Sequence, residues 1–218
     1  MITHLAHIFK QNSDELNAYK QAAYMKKRFL FFGLKAAERK KFQKEVFKKS
    51  PLSSEEELVE TVLSLYDKEE REFHYAAIDL SQKYRKLITH LDFIEKLITM
   101  HSWWDSVDQV ASNVLGYFLK EKPQYLKQMD HWIRSGNLWK RRSALIFQLK
   151  WKEETDFERL FNYCHKCSSE REFFIEKAIG WALREFSKTS PLIVACFLKE
   201  NDMKFSSFTK KEACKLIL

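Results

Sequence analysis

The chain has little glycine and little proline, with four Gly and three Pro in 218 residues. Proteins built from sheets need many tight turns, and turns draw heavily on these two residue types. Their scarcity argues against a β-sandwich and against a doubly wound α/β sheet. The sequence also lacks a glycine-rich phosphate loop, a dinucleotide fingerprint and a Gly-x-Ser-x-Gly elbow, so nothing in it indicates the enzymes that depend on those motifs.

Cysteines and long apolar runs are scarce as well. The four Cys, at positions 164, 167, 196 and 214, are too few and too clustered for a disulfide framework. Cys164 and Cys167 have zinc-like spacing, but no second ligand pair lies nearby, so we expect no metal site. No apolar run approaches the ~20 residues that span a bilayer, and the N-terminus does not resemble a signal peptide. We expect a soluble protein in the reducing cytoplasm.

Apolar residues recur at helical spacing along the chain, which predicts an all-α fold. Two capping-box patterns, Ser54 with Glu57 and Thr209 with Glu212, mark two helix starts. The predicted helices cover residues 2–10, 13–32, 36–49, 54–66, 68–86, 90–100, 103–121, 123–134, 137–150, 154–166, 171–188, 191–199 and 209–217.

The predicted helices show an internal repeat, in which an aromatic residue is followed four positions later by a small or acidic one. Intervals near 35 residues with two helices per unit are typical of a helical solenoid, in which one helix of each pair lines a concave groove. We therefore predict an α-solenoid. The four pairs, separated by 31, 35 and 35 positions, are Phe73/Ala77, Trp104/Asp108, Trp139/Ser143 and Phe174/Ala178.

Charge is spread unevenly along the chain. From Lys20 to Lys49 there are eleven Lys or Arg against two Glu, a local net charge of +9, while the whole chain carries +8. A basic stretch that also holds aromatic residues favours a polyanion such as nucleic acid as the partner. The alternative is a solvated lysine-rich face without a ligand. A membrane is less favoured, because no helix pairs a clean basic face with an exposed apolar one.

The segment from Ser102 to Asp108 brings two Trp and two Asp into seven residues. Residues four apart on a helix share a face, so Trp104 and Asp108 would project side by side. A ring face beside a carboxylate suits a cationic guest. Against this, Trp is more often a core residue than a ligand, and Asp105 suits an early-turn acid that interacts with the helix dipole. We favour a core position for Trp103 and leave Trp104 and Asp108 open.

Several segments, spread in order over nearly the whole chain, are similar to one known family. They resemble the AlkD family of DNA alkylation repair glycosylases, and the Trp-Trp-Asp-Ser-Val-Asp and Lys-Ala-Ile-Gly-Trp motifs are the most specific. The segments are Tyr24–Lys26, Phe29–Gly33, Glu70–Phe73, Ser102–Asp108, Phe147–Lys150 and Lys177–Glu185.

The resemblance implies a single domain over residues 1–218, in which HEAT-like repeats form a basic concave cleft for duplex DNA. It further implies excision of cationic N3- and N7-alkylated purines without a metal or an organic cofactor. We expect a monomer whose partner is double-stranded DNA with alkylated bases. Carried onto this sequence, the catalytic residues are Asp108, Trp104 and Trp181. The DNA-binding residues are Tyr24, Lys26, Lys27, Arg28 and Arg142.

A second hypothesis is a non-catalytic HEAT-like module that binds DNA or a partner protein. The solenoid pattern and the charge distribution are enough to support it, without any chemistry. The two hypotheses differ in what they require of Trp104, Asp108 and Trp181. A glycosylase needs these side chains close together and open to solvent, whereas a module is favoured if bulky side chains fill the cleft.

Overall fold

The computed structural model describes residues 1–216, in which all regular secondary structure is helical and an isolated bridge pairs Leu30 with Glu70. The prediction of an all-α fold is confirmed. No helix in this range has the length and apolar character needed to cross a membrane. The α-helices are α1 Ile2–Gln11, α2 Glu15–Tyr24, α3 Ala36–Lys49, α4 Glu55–Tyr66, α5 Arg71–Lys83, α6 Leu91–Thr99, α7 Trp104–Gln109, α8 Gly116–Glu121, α9 Leu126–Trp132, α10 Leu138–Ile146, α11 Phe157–Lys166, α12 Phe173–Ser187, α13 Pro191–Glu200 and α14 Ser207–Ala213.

The helices form two compact units, the first Met1–Phe93 and the second beginning at Ile94. In the first unit α3 packs against α1 and α5, and α4 packs against α5. In the second unit α10 packs against α7 and then α12, and α12 packs against α14. The intervening helices α9, α11 and α13 each contact a member of this series, so the fold repeats in helix pairs as expected of a helical-repeat protein. The extent of a single domain over 1–218 stays a prediction.

The predicted helix starts are partly correct. Ser54 caps α4 as expected, because its side chain accepts a hydrogen bond from the Glu57 backbone N–H at 3.2 Å. The predicted capping box at Thr209 and Glu212 is wrong, since Ser206 caps α14 and accepts from the Thr209 N–H. The predicted helix over 209–217 therefore begins at 207, and its final residue lies outside the described residues.

The largest difference from the predicted helices lies at residues 25–35, where the predicted helix over 13–32 stops at Tyr24. The backbone N–H groups of Phe32, Gly33 and Leu34 donate to the buried Glu72 carboxylate at 3.1, 2.9 and 3.2 Å. A helix would use the same donors internally. Gly33 has φ +88°, and a Cβ there would lie 2.1 Å from the carbonyl oxygen of Asp14, so this turn requires glycine.

We expect replacement of Glu72 by Ala to destabilise the first unit. Three backbone donors would lose their acceptor, and an unsatisfied buried donor typically costs ~1–3 kcal/mol. The free energy of unfolding, measured by urea denaturation, should fall by roughly that amount. Burial raises the pKa of Glu72 while the backbone N–H groups oppose the rise. Glu69→Ala removes an exposed acid three residues away and should have little effect; equal losses would contradict the anchoring role of Glu72.

Candidate functional site

The tryptophan-rich segment lies where α7 begins. Trp103 is the extended N-cap residue, with φ −156°, and Trp104 opens the helix. The helical backbone continues from α7 through a π-helical segment, Val110–Leu115, into α8. Segments of π-helix occur frequently at functional sites, because the extra residue re-aims the side chains around it. Trp104 and Asp108 lie one turn apart on the same face of α7.

The carboxylate of Asp108 is bound on both oxygens by Arg142 of α10. Arg142 Nε donates to Oδ1 at 2.7 Å and Nη2 donates to Oδ2 at 2.8 Å, the bidentate geometry of a strong arginine–carboxylate pair. Arg142 Nη1 donates to the backbone carbonyl of Phe174 on α12. The Arg142 side chain is 3% exposed, and that of Asp108 is 14% exposed. Three helices therefore fix one carboxylate that stays partly open to solvent.

Opposing influences act on the protonation of Asp108. Burial is the largest and raises the pKa of the carboxyl group, whereas the hydrogen bonds and positive charge of Arg142 lower it. The charge of Asp105 adds to the rise in pKa, and the charge of Lys177 opposes it. Asp105 is buried in the first turn of α7. It acts on Asp108 in addition to the interaction with the helix dipole that the sequence suggested. The arginine and the lysine favour the ionised carboxylate that a cationic guest would require.

An aromatic cluster lies at the N-terminal ends of α7, α10 and α12. The Trp103 ring is 5.7 Å from Trp139 and 5.2 Å from Phe174 between centroids, and the last two are also 5.2 Å apart. The core position favoured for Trp103 is confirmed, since the residue is buried. The cluster joins successive repeats through Trp103. Trp104 is half-buried, one turn before Asp108 on the same helix.

Trp181 lies on α12, and its side chain is half-buried. The preceding residue, Gly180, lets α12 and α14 approach closely, because a Cβ at that position would lie 2.4 Å from the Cβ of Glu212. That close contact fixes the position of the helix segment that carries Trp181. Trp104, Asp108 and Trp181 all keep partial exposure, so bulky side chains do not bury any of the three.

The structure places Arg142 in contact with protein groups. The expectation was a phosphate contact in a cleft, but the residue is buried and its guanidinium is committed to Asp108 and to the Phe174 carbonyl. This difference has a physical reason. A buried guanidinium needs a counter-charge and hydrogen-bond acceptors, and Asp108 supplies the charge from the neighbouring repeat. In this structure the guanidinium holds the Asp108 carboxylate, and a role for Arg142 in binding DNA stays a prediction.

The other expected DNA-binding residues belong to the first unit. Tyr24 is 72% exposed, and Lys26, Lys27 and Arg28 are exposed in the turn after α2. Lys26 and Lys27 both have φ 55°, a conformation that holds the turn away from helical geometry. Not every cation of the basic stretch is exposed, because Arg39 is buried and paired with Asp79 at 2.8 Å.

Two parts of the site were missed in the sequence. The Phe174 carbonyl is a backbone group, and residue identity gives no signal for the partner that a carbonyl oxygen will have. Lys177 lies within the Lys-Ala-Ile-Gly-Trp motif but received no role. Its spacing of four residues from both Phe173 and Trp181 was the available signal.

Comparison with known proteins decides the family. The family model described as "DNA alkylation repair enzyme" matches residues 5–217, nearly the whole chain. The chain belongs to the DNA alkylation repair enzyme family. The resemblance seen in the sequence motifs is thus confirmed. A solved structure of a predicted DNA alkylation repair enzyme from Enterococcus faecalis is 33% identical, with 94% of this chain and 96% of that one covered and a TM-score of 0.86.

Two more distant structures share the fold of this DNA alkylation repair family member. AlkD2 from Streptococcus mutans is 20% identical, with 80% of this chain and 88% of that one covered and a TM-score of 0.63. The smu.31 protein from Streptococcus mutans UA159 is 18% identical, with 96% and 100% covered and a TM-score of 0.61. No curated protein matches the chain.

Proposed function

We propose that the protein is a monofunctional DNA glycosylase that excises cationic N3- and N7-alkylated purines, of the 3-methyladenine and 7-methylguanine type, from duplex DNA. The observation that carries the proposal is the Asp108 carboxylate, held on both oxygens by Arg142 and partly exposed beside Trp104. Family membership supplies the link to DNA alkylation repair. The lesion class and the site residues are those that the resemblance to the AlkD family implies, and the geometry of Asp108 supports them.

The chemistry of the lesion explains why one fixed carboxylate is sufficient. An N3- or N7-alkylated purine already carries positive charge, so it leaves the sugar without protonation by a general acid. Cleavage then develops positive charge on the deoxyribose, as in other reactions with an oxocarbenium-like transition state. A preorganised anion at that position stabilises the transition state more than the ground state. Asp108 would provide the anion and orient the water that completes hydrolysis.

Arg142 and the tryptophans have supporting roles in this proposal. The bidentate contact with Arg142 prevents the Asp108 carboxylate from rotating, so little reorganisation is needed as charge develops on the sugar. Trp104, one turn away on α7, presents an electron-rich ring to the same cationic deoxyribose. Trp181 would add a second ring from α12. The partial exposure of both indoles leaves them available for this contact.

The reaction does not require a deep base pocket. The second unit contains a cavity of about 220 Å³, lined by residues such as Leu145, Leu149 and Phe186. Neither Trp104 nor Asp108 lines that cavity. The resemblance to the AlkD family implies that the enzyme contacts the sugar of the lesion, unlike glycosylases that flip the base into a pocket.

An excision assay tests the proposed function. The protein should release 7-methylguanine or 3-methyladenine from a duplex in single-turnover reactions, with the free base detected by mass spectrometry. The same duplex without the lesion is the control. Binding to DNA with no release of either base would reject the glycosylase and favour the non-catalytic module, for which the exposed basic turn in the first unit gives independent support.

The basic turn after α2 predicts that affinity for DNA decreases as the salt concentration rises. Each neutralised phosphate contributes about −0.9 to the slope of log affinity against log salt for B-DNA. Reversing Lys26, Lys27 and Arg28 to Glu should flatten that slope and weaken binding equally on unrelated sequences, as measured by fluorescence anisotropy. Reversal of the surface lysines 120, 122 and 127 changes the net charge equally and serves as the control. Indistinguishable slopes for the two triple variants would exclude the turn as a DNA contact.

A further inference from the structure

One face of α12 carries alternating aromatic and cationic side chains. Phe173, Lys177 and Trp181 follow at intervals of four residues, which places them on the same side of the helix. Phe173 is 52% exposed, so its ring can be reached by a ligand. Interleaved rings and cations are the pattern with which proteins hold a nucleic-acid strand, because rings stack on bases and cations neutralise phosphates.

The charge of Lys177 is available to a ligand. In the described part of the chain its ammonium pairs with no carboxylate, whereas Lys188 pairs with Glu185 and Lys215 pairs with Glu212. The Lys177 Nζ lies 5.7 Å from the centroid of the Phe173 ring. Arg142, which holds Asp108, also donates to the carbonyl of Phe174 in the first turn of α12. That contact places the start of α12 next to the candidate site, and the positive charge of Lys177 acts on Asp108 as well. The Arg142 guanidinium is less accessible to a phosphate, because it is buried and binds Asp108 and the Phe174 carbonyl.

The Phe173 ring is supported from within the protein. It stacks on Phe208 of α14, with 5.5 Å between centroids and 27° between planes, and it contacts the edge of Phe174 at 5.3 Å. The remaining exposed part of the ring is therefore a fixed apolar surface, and its orientation costs little entropy when a ligand binds.

Two acidic residues near Phe173 and Lys177 have partners within the protein. Glu172 caps α12 by accepting from the backbone N–H groups of Phe174 and Ile175. Glu212 is paired with both Arg184 and Lys215. The two cations offset the charge of Glu212, and the positive charge of Lys177 also acts on Glu212.

We propose that Phe173 and Lys177 form a nucleotide subsite beside the Asp108 carboxylate. Lys177 pairs with a backbone phosphate, and the Phe173 ring contacts the sugar or base of the same nucleotide. The ligand is a DNA strand, so the inference rests on the proposed function and names the residues that hold the strand next to the reacting sugar. This proposal adds a phosphate contact on α12, the helix that follows Arg142 in the packed series α7, α10 and α12.

Salt-dependent binding separates the two contacts. In anisotropy titrations of the full chain with a short undamaged duplex, Lys177→Gln should reduce the salt slope by about 0.9, the contribution of one phosphate, and Lys177→Arg should restore it. Phe173→Leu should weaken binding by about tenfold at every salt concentration, with the slope unchanged. Lys188→Gln, on a lysine at the end of the same helix that already has a partner, should leave slope and affinity as in the wild type.

A wild-type slope for Lys177→Gln, or an equal loss for Lys188→Gln, would overturn the subsite. The melting temperatures of the Lys177 and Lys188 variants should match that of the wild type, because both lysines are exposed. A melting curve for Phe173→Leu establishes that this variant is folded, since its ring packs on Phe208. Excision by the wild type is assayed separately. If the wild type excises the base and Lys177→Gln keeps the wild-type salt slope, the subsite is rejected and the glycosylase is retained. The expected slope changes in a protein that releases no alkylated base support the subsite and reject the glycosylase.

Discussion

Asp108→Asn should reduce the single-turnover rate of base excision by ~10²–10³, the usual cost of removing one electrostatic partner of a transition state. The substitution keeps the shape of the side chain and removes its charge. An interaction that strengthens as the sugar becomes positive acts mainly on the chemical step. Affinity for DNA should be unchanged or slightly improved, because an anion that faces a polyanion has been removed.

The folded state must be verified in the same experiment. The amide N–H₂ introduced by Asp108→Asn would oppose one N–H of Arg142, and the arginine would keep an uncompensated charge. Circular dichroism and a melting curve establish that the variant is folded before its rate is compared. Asp202→Asn is a suitable control, because it removes a carboxylate from a surface pair with Lys210 in the same unit. If Asp108→Asn excises at the wild-type rate, Asp108 does not stabilise the reacting sugar.

Arg142→Gln should be the most destabilising of these substitutions. Removing one partner of a buried ion pair typically costs ~3–5 kcal/mol, since the remaining charge is left uncompensated. In the wild type, burial raises the pKa of Asp108 and Arg142 opposes the rise. Without the guanidinium, the pKa of Asp108 in the folded state should rise further above its unfolded value.

The sign of the pH dependence follows from that pKa. An acid whose folded pKa is raised contributes stability that is fully present below its unfolded pKa, and this contribution is lost as the pH rises through the folded pKa. The difference in unfolding free energy between wild type and Arg142→Gln should therefore be smallest in acid and grow towards neutral pH. Urea denaturation at several pH values measures it. A difference that is constant with pH would show that Asp108 is not the partner whose charge matters.

Arg142→Lys separates charge from geometry. It keeps a positive charge near Asp108 but loses the planar fork that binds both carboxylate oxygens. We expect an intermediate loss of stability, and a loss of excision rate larger than the change in DNA affinity, because the carboxylate is no longer held in one orientation. A fully active lysine variant would mean that the positive charge alone is sufficient.

The sequence by itself determined the fold class and the family. Few Gly and Pro together with helical periodicity were sufficient for the all-α fold, because backbone propensity and apolar spacing are local properties. The motif residues were sufficient for the family assignment that the family model confirmed. The core position of Trp103 also followed from its type, since a large apolar ring is usually buried.

Only the tertiary structure decided what the side chains contact. Asp108 and Arg142 are 34 positions apart, and the buried guanidinium takes its counter-charge from the neighbouring repeat. The N–H groups of residues 32–34 donate to the distant Glu72 carboxylate and not to helical carbonyl groups. The helix therefore ends earlier than the sequence predicted. Both outcomes depend on partners brought close by packing between helices, and sequence spacing carries no information on which distant acceptor will satisfy a buried donor.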